Sequence, residues 1–507
     1  MRRIYLILSA ILIACMTISC DDNSDNIKGD SDIVQPSEPQ LTDVVSTTIN
    51  RTAYLVDGIT VDKNEKTLLD NFIARYANSA AYGTNHQLRQ GDAIVFSAAS
   101  LHRLIADDNL ADLKRDYSSG AVLLMHGGSA SDFAQLCDAL GCFNPYGDES
   151  GNGIENGYEP LWVLVGNIPG ARGIYTCLNA YAMPASSITM TDGSEEPLPD
   201  TDLPTLPDVI TSTYSSPISD YAQGKLCDTV VGAIKQSLEE KPTKNDETSE
   251  LTELMSAVKV FVQNNSWWEY KGQRRTRYCL TELDIWNAYS VAEKRQYYYI
   301  HQEMTYAFSE SCVGSFHDAQ WKSYGMYGKY YETCFRNEKS PQDVIFHRSS
   351  PSTTQTSTTY TSSISYNIGG EISTAATGLS GGVNISNTQS YVVEDVMVYN
   401  NCVATTPLSK AAWKFDLRDA KGHFNWKSHA SVDIDPCSAS GRSTFTCGAD
   451  YIFSVPNSCP NSWIFDFSVT SRLVSCYNVF GGKVKTKYHD FTYTINYKFS
   501  LPKVATS

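Results

Sequence analysis

The spacing of apolar residues changes character along this chain, and each change predicts a different kind of element. Leu68, Leu69, Phe72, Ile73 and Tyr76 recur at helical intervals and predict a helix over Asp62 to Ala80. AIVFS, residues 93–97, is a short unbroken apolar run and predicts a buried strand. A helix over Ser100 to Tyr117 and a strand over Ala121 to Met125 follow. Ser129 opens another helix with Phe133, Leu136 and Leu140 on one face, and Leu161 to Val165 is a further strand. Strands alternating with helices predict a small three-layer α/β domain over 46–185. Ser186 to Ser215 is rich in proline, Asp, Ser and Thr and reads as a linker. Leu226, Val230, Ile234 and Leu238 then predict a helix over Ile218 to Glu240, and Lys241 to Ser249 a charged loop. From about Leu254 the period becomes two. KVFVQ, RYCLTEL and QYYYIHQEMTYAF are aromatic-rich strands of a many-stranded sandwich.

One stretch departs from ordinary surface strands. Between Ser349 and Val393 lie 45 residues with a single charged side chain, Glu371. Tyr360, Ile364, Tyr366, Ile368 and Ile372 occupy even positions, with Asn367, Glu371 and Ser373 among the odd ones. After a glycine-containing break near Ala375 to Ser380 the parity flips: Val383, Ile385, Tyr391 and Val393 are apolar, and Asn384 and Ser386 lie between them. Two alternating strands about a small-residue turn make an amphipathic β-hairpin. Such a hairpin suits a transmembrane barrel, with lipid on one face and water on the other. It equally suits a half-buried hairpin of a soluble sandwich, although soluble strands usually carry Lys and Glu.

ISYNIGGEIS (364–373), GLSGGVNISNTQSYVVEDV (378–396) and KAAWKFDL (410–417) resemble the stem and its flanks in the leukocidin/hemolysin family of β-barrel pore-forming toxins, the alpha-hemolysin-like proteins. The likeness continues more loosely through GADYIFSVPNSCPNSWIFDFSVTSRL and FTYTINYKF. It implies a leukocidin-like sandwich over 251–507 with a pre-stem hairpin at about 358–395. Ile364, Tyr366, Ile368, Ile372, Val383, Ile385 and Tyr391 would face lipid, and Asn367, Glu371, Ser373, Asn384 and Ser386 the lumen. It also implies self-assembly into a ring, a heptamer or octamer, on the lipid or a receptor of a target-cell membrane. Trp267 and Trp268 adjoin a basic run, and Phe424 and Trp426 lie among His423, Lys427 and His429. Aromatics beside cations suit a headgroup region, so these four are candidate membrane contacts, with sandwich core as the alternative. Trp413 reads as core. The rim looks short beside the family's, so its phosphocholine pocket has no counterpart residue by residue.

The N-terminus is basic at Arg2 and Arg3, then apolar from Ile4 to Ile18, as in a secretory signal. Cys15 and Cys20 each follow a small residue. Cys20, which ends the apolar run, is the expected lipidation site, with an ordinary cleaved signal as the alternative. The acidic residues after it resemble the surface-export signal of Bacteroidetes lipoproteins. Residues 1–20 are then a lipoprotein signal and 21–45 a flexible tether. A net charge of −16 and a pI near 5.0 argue against a nucleic-acid partner. Twelve cysteines lie beyond the leader. Cys137/Cys142 and Cys437/Cys447 are plausible disulfide pairs in an exported chain, with Cys312/Cys334 weaker. No CxxC supports a metal site.

Candidate chemistry is thin. His126-Gly127-Gly128-Ser129 could cradle an anion at a helix start, or be a tight turn; no GxSxG supplies a nucleophile. Asp107 and Asp108 form a carboxylate pair that an exposed helix end explains equally well. The expected architecture is α+β and multidomain: an α/β domain at 46–185, a linker and helix at 186–250, and the sandwich at 251–507. The expected protein is not an enzyme and needs no cofactor. It is an exported outer-membrane or cell-surface lipoprotein, released or not, that forms pores. The alternative is a non-lytic surface lipoprotein using its sandwich for adhesion or ligand binding.

Overall fold

AIVFS shows how the α/β part is held: its two parities go to two different cores. Ile94 and Phe96 pack with Leu101, Leu113 and Phe133, and Ala93 and Val95 pack with Phe72, Leu226 and Val230. A strand buried on both faces has no solvent side on which to place polar residues, which is why it reads as a continuous apolar run. The computed structural model describes residues 47–503, apart from 57–67, 84–86, 143–153, 156–160, 169–170, 181, 185–188, 192–209, 214–219, 240–255, 271–272, 309–315, 318–320, 369–371, 374–377, 380–382, 405–408, 426–430, 443, 480–482 and 502. The leader, Cys20, the tether, Glu371 and Trp426 therefore lie outside the described residues.

The α/β layer uses strands β1 (Ile49–Leu55), β2 (Tyr76–Ala81), β3 (Ala93–Ser97), β4 (Val122–His126), β5 (Leu161–Val165) and β6 (Gly173–Ala180). Helices α2 (Ala98–Leu104), α3 (Asp107–Ser118) and α4 (Ala130–Leu140) share one core with this sheet. Helices α1 (Leu68–Ile73) and α5 (Asp220–Glu239) share the other. Three layers result, as the alternation of strand and helix predicts. Two details differ from the sequence reading. The helix expected over Asp62 to Ala80 is confined to α1, and its second half is β2, which pairs in parallel with β1. Beyond Tyr76 that segment is small and polar, with nothing to bury as a helix, and it is placed at the sheet edge. The helix expected over Ser100 to Tyr117 is broken, because Ala106 is extended and starts a separate helix.

The remainder is mainly β. Its longer strands are β7 (Ser256–Tyr270), β8 (Gln273–Ser290), β9 (Arg295–Phe308), β10 (Trp321–Asn337), β11 (Ile345–Ser350), β12 (Thr354–Ile368), β13 (Val383–Asn400), β14 (Lys410–Leu417), β15 (Lys421–Asn425), β16 (Ser431–Asp435), β17 (Thr444–Pro456), β18 (Trp463–Val479) and β19 (Lys483–Phe499). One sheet runs β11-β17-β9-β8-β7 and continues through β6 into the α/β layer, so a single sheet serves both parts. The second runs β12-β13-β14-β10-β18-β19. Segment 186–215 contributes two short strands, Thr189–Thr191 beside β19 and Ile210–Thr213 beside β7.

Aromatic rings bind the two sheets. Trp463 stacks on Phe335 at 5.0 Å and 9°, and meets Phe453 of the facing sheet at 4.7 Å. Trp413 is buried as expected, its indole N–H donating to the Pro351 carbonyl at 3.0 Å. Cys137, Cys142, Cys437 and Cys447 are free thiols, so neither of the two expected disulfides is formed in this structure. Cys437 and Cys447 belong to different apolar clusters, and Cys312 lies outside the described residues. Removing a buried tryptophan from such a stack leaves a void the sheets cannot close. Trp463→Ala should cost about 3–5 kcal/mol of unfolding free energy, measured by urea denaturation followed by circular dichroism.

Candidate functional site: the packed hairpin

Strands β12 and β13 pair antiparallel, and their register carries the predicted parity. Ile368 is opposite Val383, Tyr366 opposite Ile385 and Tyr360 opposite Tyr391. Asn367 is opposite Asn384, Ser365 opposite Ser386 and Ser363 opposite Thr388. Directly paired residues share a face. The flip of parity in the sequence is thus what an antiparallel return requires, and the apolar and neutral-polar positions segregate to opposite faces. Farther out, Ile372–Ser373 pairs with Gly378–Leu379, and also with Tyr289 and Ser290 of β8.

The described side chains of the apolar parity are covered by the chain's own body. Tyr360, Ser362 and Tyr391 are buried and Tyr366 is half-buried, whereas Thr361, Ser363, Ser365, Thr388 and Ser390 are exposed. The partners of Ser362 and Tyr366 are Asp450, His347 and Tyr297. Asp450 is opposite His301, and Tyr297 opposite Ser454. These positions have the opposite parity to Tyr298, Ile300, Tyr451 and Phe453, which line the core between the sheets. The hairpin therefore lies on the side of that sheet that faces away from the sandwich interior.

Three polar contacts hold it. The Tyr360 hydroxyl donates to the Gly448 carbonyl at 3.2 Å and accepts from the Gly448 N–H at 2.7 Å. The Ser362 hydroxyl donates to Asp450. The Ser363 N–H donates to the Ser350 hydroxyl at 2.7 Å. Tyr366 adds a hydroxyl contact to His347 Nδ1 at 3.1 Å. Asp450 is fully buried and also accepts from the Tyr299 hydroxyl at 2.6 Å, with His301 Nδ1 at 2.9 Å. Sequence reading missed Ser362, Asp450, His301 and Gly448. Ser362 falls on the apolar parity, and that was the one available signal. Nothing in the sequence aligns it with a residue 88 positions away.

The other candidate residues are dispersed. Trp267 is opposite Thr276 and Trp268 opposite Arg275 on β7 and β8, so the aromatic and basic runs are brought together by the register. Phe424 is opposite Val432 on the separate β15–β16 ribbon and is half-buried, with His423 ion-paired to Asp435 at 3.4 Å. In the α/β layer, Gly127 and Gly128 adopt left-handed φ of 68° and 82°. A Cβ on Gly128 would meet the Ala98 Cβ at 2.5 Å, so this is a tight packing turn. The helix start behind it is occupied by its own cap. Asp132 accepts from the Ser129 N–H at 2.6 Å and hydroxyl at 2.8 Å, and these bonds hold its carboxyl below the ordinary range. Among the described residues no group of three or more His, Cys, Asp or Glu could hold a metal.

No protein-family model matches this chain, and no curated protein does. Among solved structures it is similar to Clostridium perfringens delta-toxin, at 13% identity over 46% of this chain and 94% of that one, with a TM-score of 0.33. It is similar to a structure titled pore forming protein, at 10% identity over 46% of this chain and 96% of that one, TM-score 0.29. It is also similar to the membrane-inserted form of the Clostridium perfringens NetB toxin, at 11% identity over 48% and 96%, TM-score 0.24. Likenesses of this strength leave the hairpin and its packing as the ground for a functional reading.

Gly448 makes the close approach possible, since a Cβ there would meet the Tyr391 hydroxyl at 1.9 Å. Gly448→Ala should push the hairpin off its seat at a cost of about 1–3 kcal/mol. Amide hydrogen exchange over 360–366 and 385–391 should rise roughly tenfold or more by the same cost, while exchange in β3 and β4 stays as it was.

Proposed function

We propose that this chain is a pore-forming protein that assembles on a target membrane and inserts one β-hairpin per subunit into a shared barrel. The observation that carries the reading is the β12–β13 register. It gives a hairpin with one apolar and one neutral-polar face, seated on the body by its apolar face. A barrel strand needs about 9–11 residues to cross the hydrocarbon, and Tyr360 to Ser373 is long enough. A single hairpin cannot enter lipid, because its edges would carry unpaired backbone groups. Several hairpins closed into a ring leave none. β12 is already an edge strand, and its described outward side chains are Ser and Thr rather than the charges that usually keep edges apart.

In this mechanism the monomer travels with the apolar face covered. Membrane contact comes first, with Trp267, Trp268, Phe424 and Trp426 as candidates. Copies then pair side by side, in a ring of seven or eight, and the hairpins leave their seats. Ile364, Tyr366, Ile368, Ile372, Val383, Ile385 and Tyr391 turn to lipid. Asn367, Glu371, Ser373, Asn384 and Ser386 line the water path. Burial of the apolar face and closure of the strand ladder supply the free energy. No catalytic residue or cofactor takes part. The chain is exported and anchored through a lipid on Cys20, with release to the medium as a variant.

Recording ion conductance across planar bilayers with the purified protein tests this. Stepwise channels support the reading, and cell binding without conductance would replace it with the non-lytic surface lipoprotein. Ile368→Asp places a charge on the lipid face, where it costs about 2–4 kcal/mol per strand near the midplane. It should abolish channels while the soluble monomer keeps its circular dichroism spectrum. Glu371 supplies one carboxylate per subunit to the lumen, so wild-type channels should prefer cations. Glu371→Lys should move the reversal potential in a salt gradient towards anions. An unmoved potential would place Glu371 outside the conduction path.

A further inference from the structure

We propose that the Asp450–His301 pair beneath Ser362 is a proton-operated latch on the hairpin: charged His301 keeps Asp450 in its buried grip on Ser362, and loss of that proton frees the hairpin as the medium turns alkaline. This rests on the reading of the hairpin as the element that moves.

Asp450 is at the junction between body and hairpin. Tyr299 and His301 approach its carboxylate from β9, and Ser362 approaches from β12. If the hairpin departs, the carboxylate loses one donor and gains water. Further charged groups lie around the pair. Glu282 and Asp284 on β8 and Glu303 on β9 share the register rows of Gly448 and Asp450. Lys225 of α5 faces Glu303. From β11 come Ser350 and the neutral ring of His347, which burial and then Arg295 hold below the ordinary histidine range. From the hairpin, Tyr360, Ser362, Tyr366, Gln389 and Tyr391 bring neutral side chains, and Asp395 of β13 is ion-paired with Arg418. His301 is thus the cation directly bonded to Asp450. Once it is neutral, the buried Asp450 carboxylate loses the cation bonded to it, and opening is a way to solvate it.

The direction with pH follows from the shifts. Burial depresses His301, but the hydrogen bond and charge of Asp450 outweigh it and raise it above an ordinary histidine. Its contribution is fully present below about pH 6.5 and is lost as pH rises through the raised value. Burial, then Glu282, raise Glu303, so its ionisation also favours opening as pH rises. Burial pushes Asp450 up, but the bonds from His301, Ser362 and Tyr299 prevail and hold it low. Its contribution fails only in strong acid. His347, being depressed, weakens the seat on the acid side. Above about pH 6.5 both His301 and Glu303 weaken the seat as pH rises, and a His301 variant reads the share that belongs to His301.

The test is amide hydrogen exchange of the full chain with millisecond labelling, corrected for intrinsic rates, at about pH 6 and about pH 8.5, either side of an ordinary histidine. Hairpin opening in the wild type should grow from the lower pH to the higher, the direction that the raised His301 requires. His301→Gln should be more open than the wild type at the lower pH, with a reduced slope. Ser362→Ala should open the hairpin at both values, and Asp450→Asn should do so with a reduced slope. Exchange in β3 and β4 should stay unchanged in all three, reporting an intact fold. A wild-type hairpin insensitive to pH, or an unaltered slope in His301→Gln, would overturn the latch. Vesicle dye release run in parallel separates the two ideas. If no variant releases dye but the exchange pattern holds, the pore reading falls and the latch stands. If dye is released while hairpin exchange ignores pH, the latch falls and the pore reading stands.

Discussion

A β-hairpin with one apolar face cannot keep that face bare in water, and much of this structure is arranged around covering it. The sandwich solves the problem locally. β12 and β13 extend from the end of one sheet and lie on the outward side of the other. That outward side would ordinarily be a solvated face of Lys and Glu. Here it carries Tyr297, Tyr299, Ile452 and Asp450, all buried. The composition of β9 and β17 on this face makes sense only with the hairpin in place. Both parities of these strands carry buried aromatic and aliphatic residues because both sides are covered.

The seat is specific rather than greasy. Tyr360 brings its hydroxyl to the backbone of Gly448, where the missing side chain leaves room for Tyr391 as well. Ser362 reaches a buried carboxylate. Polar contacts of this kind cost little while they are satisfied and much when half broken. They favour a hairpin that is either seated or fully away. The edge position of β12 and the two-residue pairing of the tip with β8 leave few backbone bonds to break on departure.

The α/β layer stands apart from this chemistry while sharing the sheet. β6 runs parallel beside β7, so the ladder passes from one part into the other. Its glycine turn at Gly127 and Gly128 offers a helix start already filled by Asp132. Ion pairing instead knits the layer to α5, with Arg75 bonded to Asp228.

Elements with a strong period were legible in the order of residues alone. AIVFS and Leu161–Val165 were legible as buried strands because burial on both faces forces unbroken apolar runs. The hairpin, its register and its two faces were legible because an antiparallel return inverts parity, and the chain shows that inversion between Ile368 and Val383. The extent of the first helix was not legible. Tyr76 continues the helical spacing by coincidence, and only the vacant edge beside β1 makes the next residues a strand. The break at Ala106 was hidden for the same reason, since both halves keep an apolar face. Only the tertiary structure decided what the hairpin rests on. Ser362, His301 and Asp450 are ordinary residues in three distant strands. What makes them a unit is the order of strands within each sheet and the laying of one sheet's end over the other, and those contacts join positions that no local pattern connects.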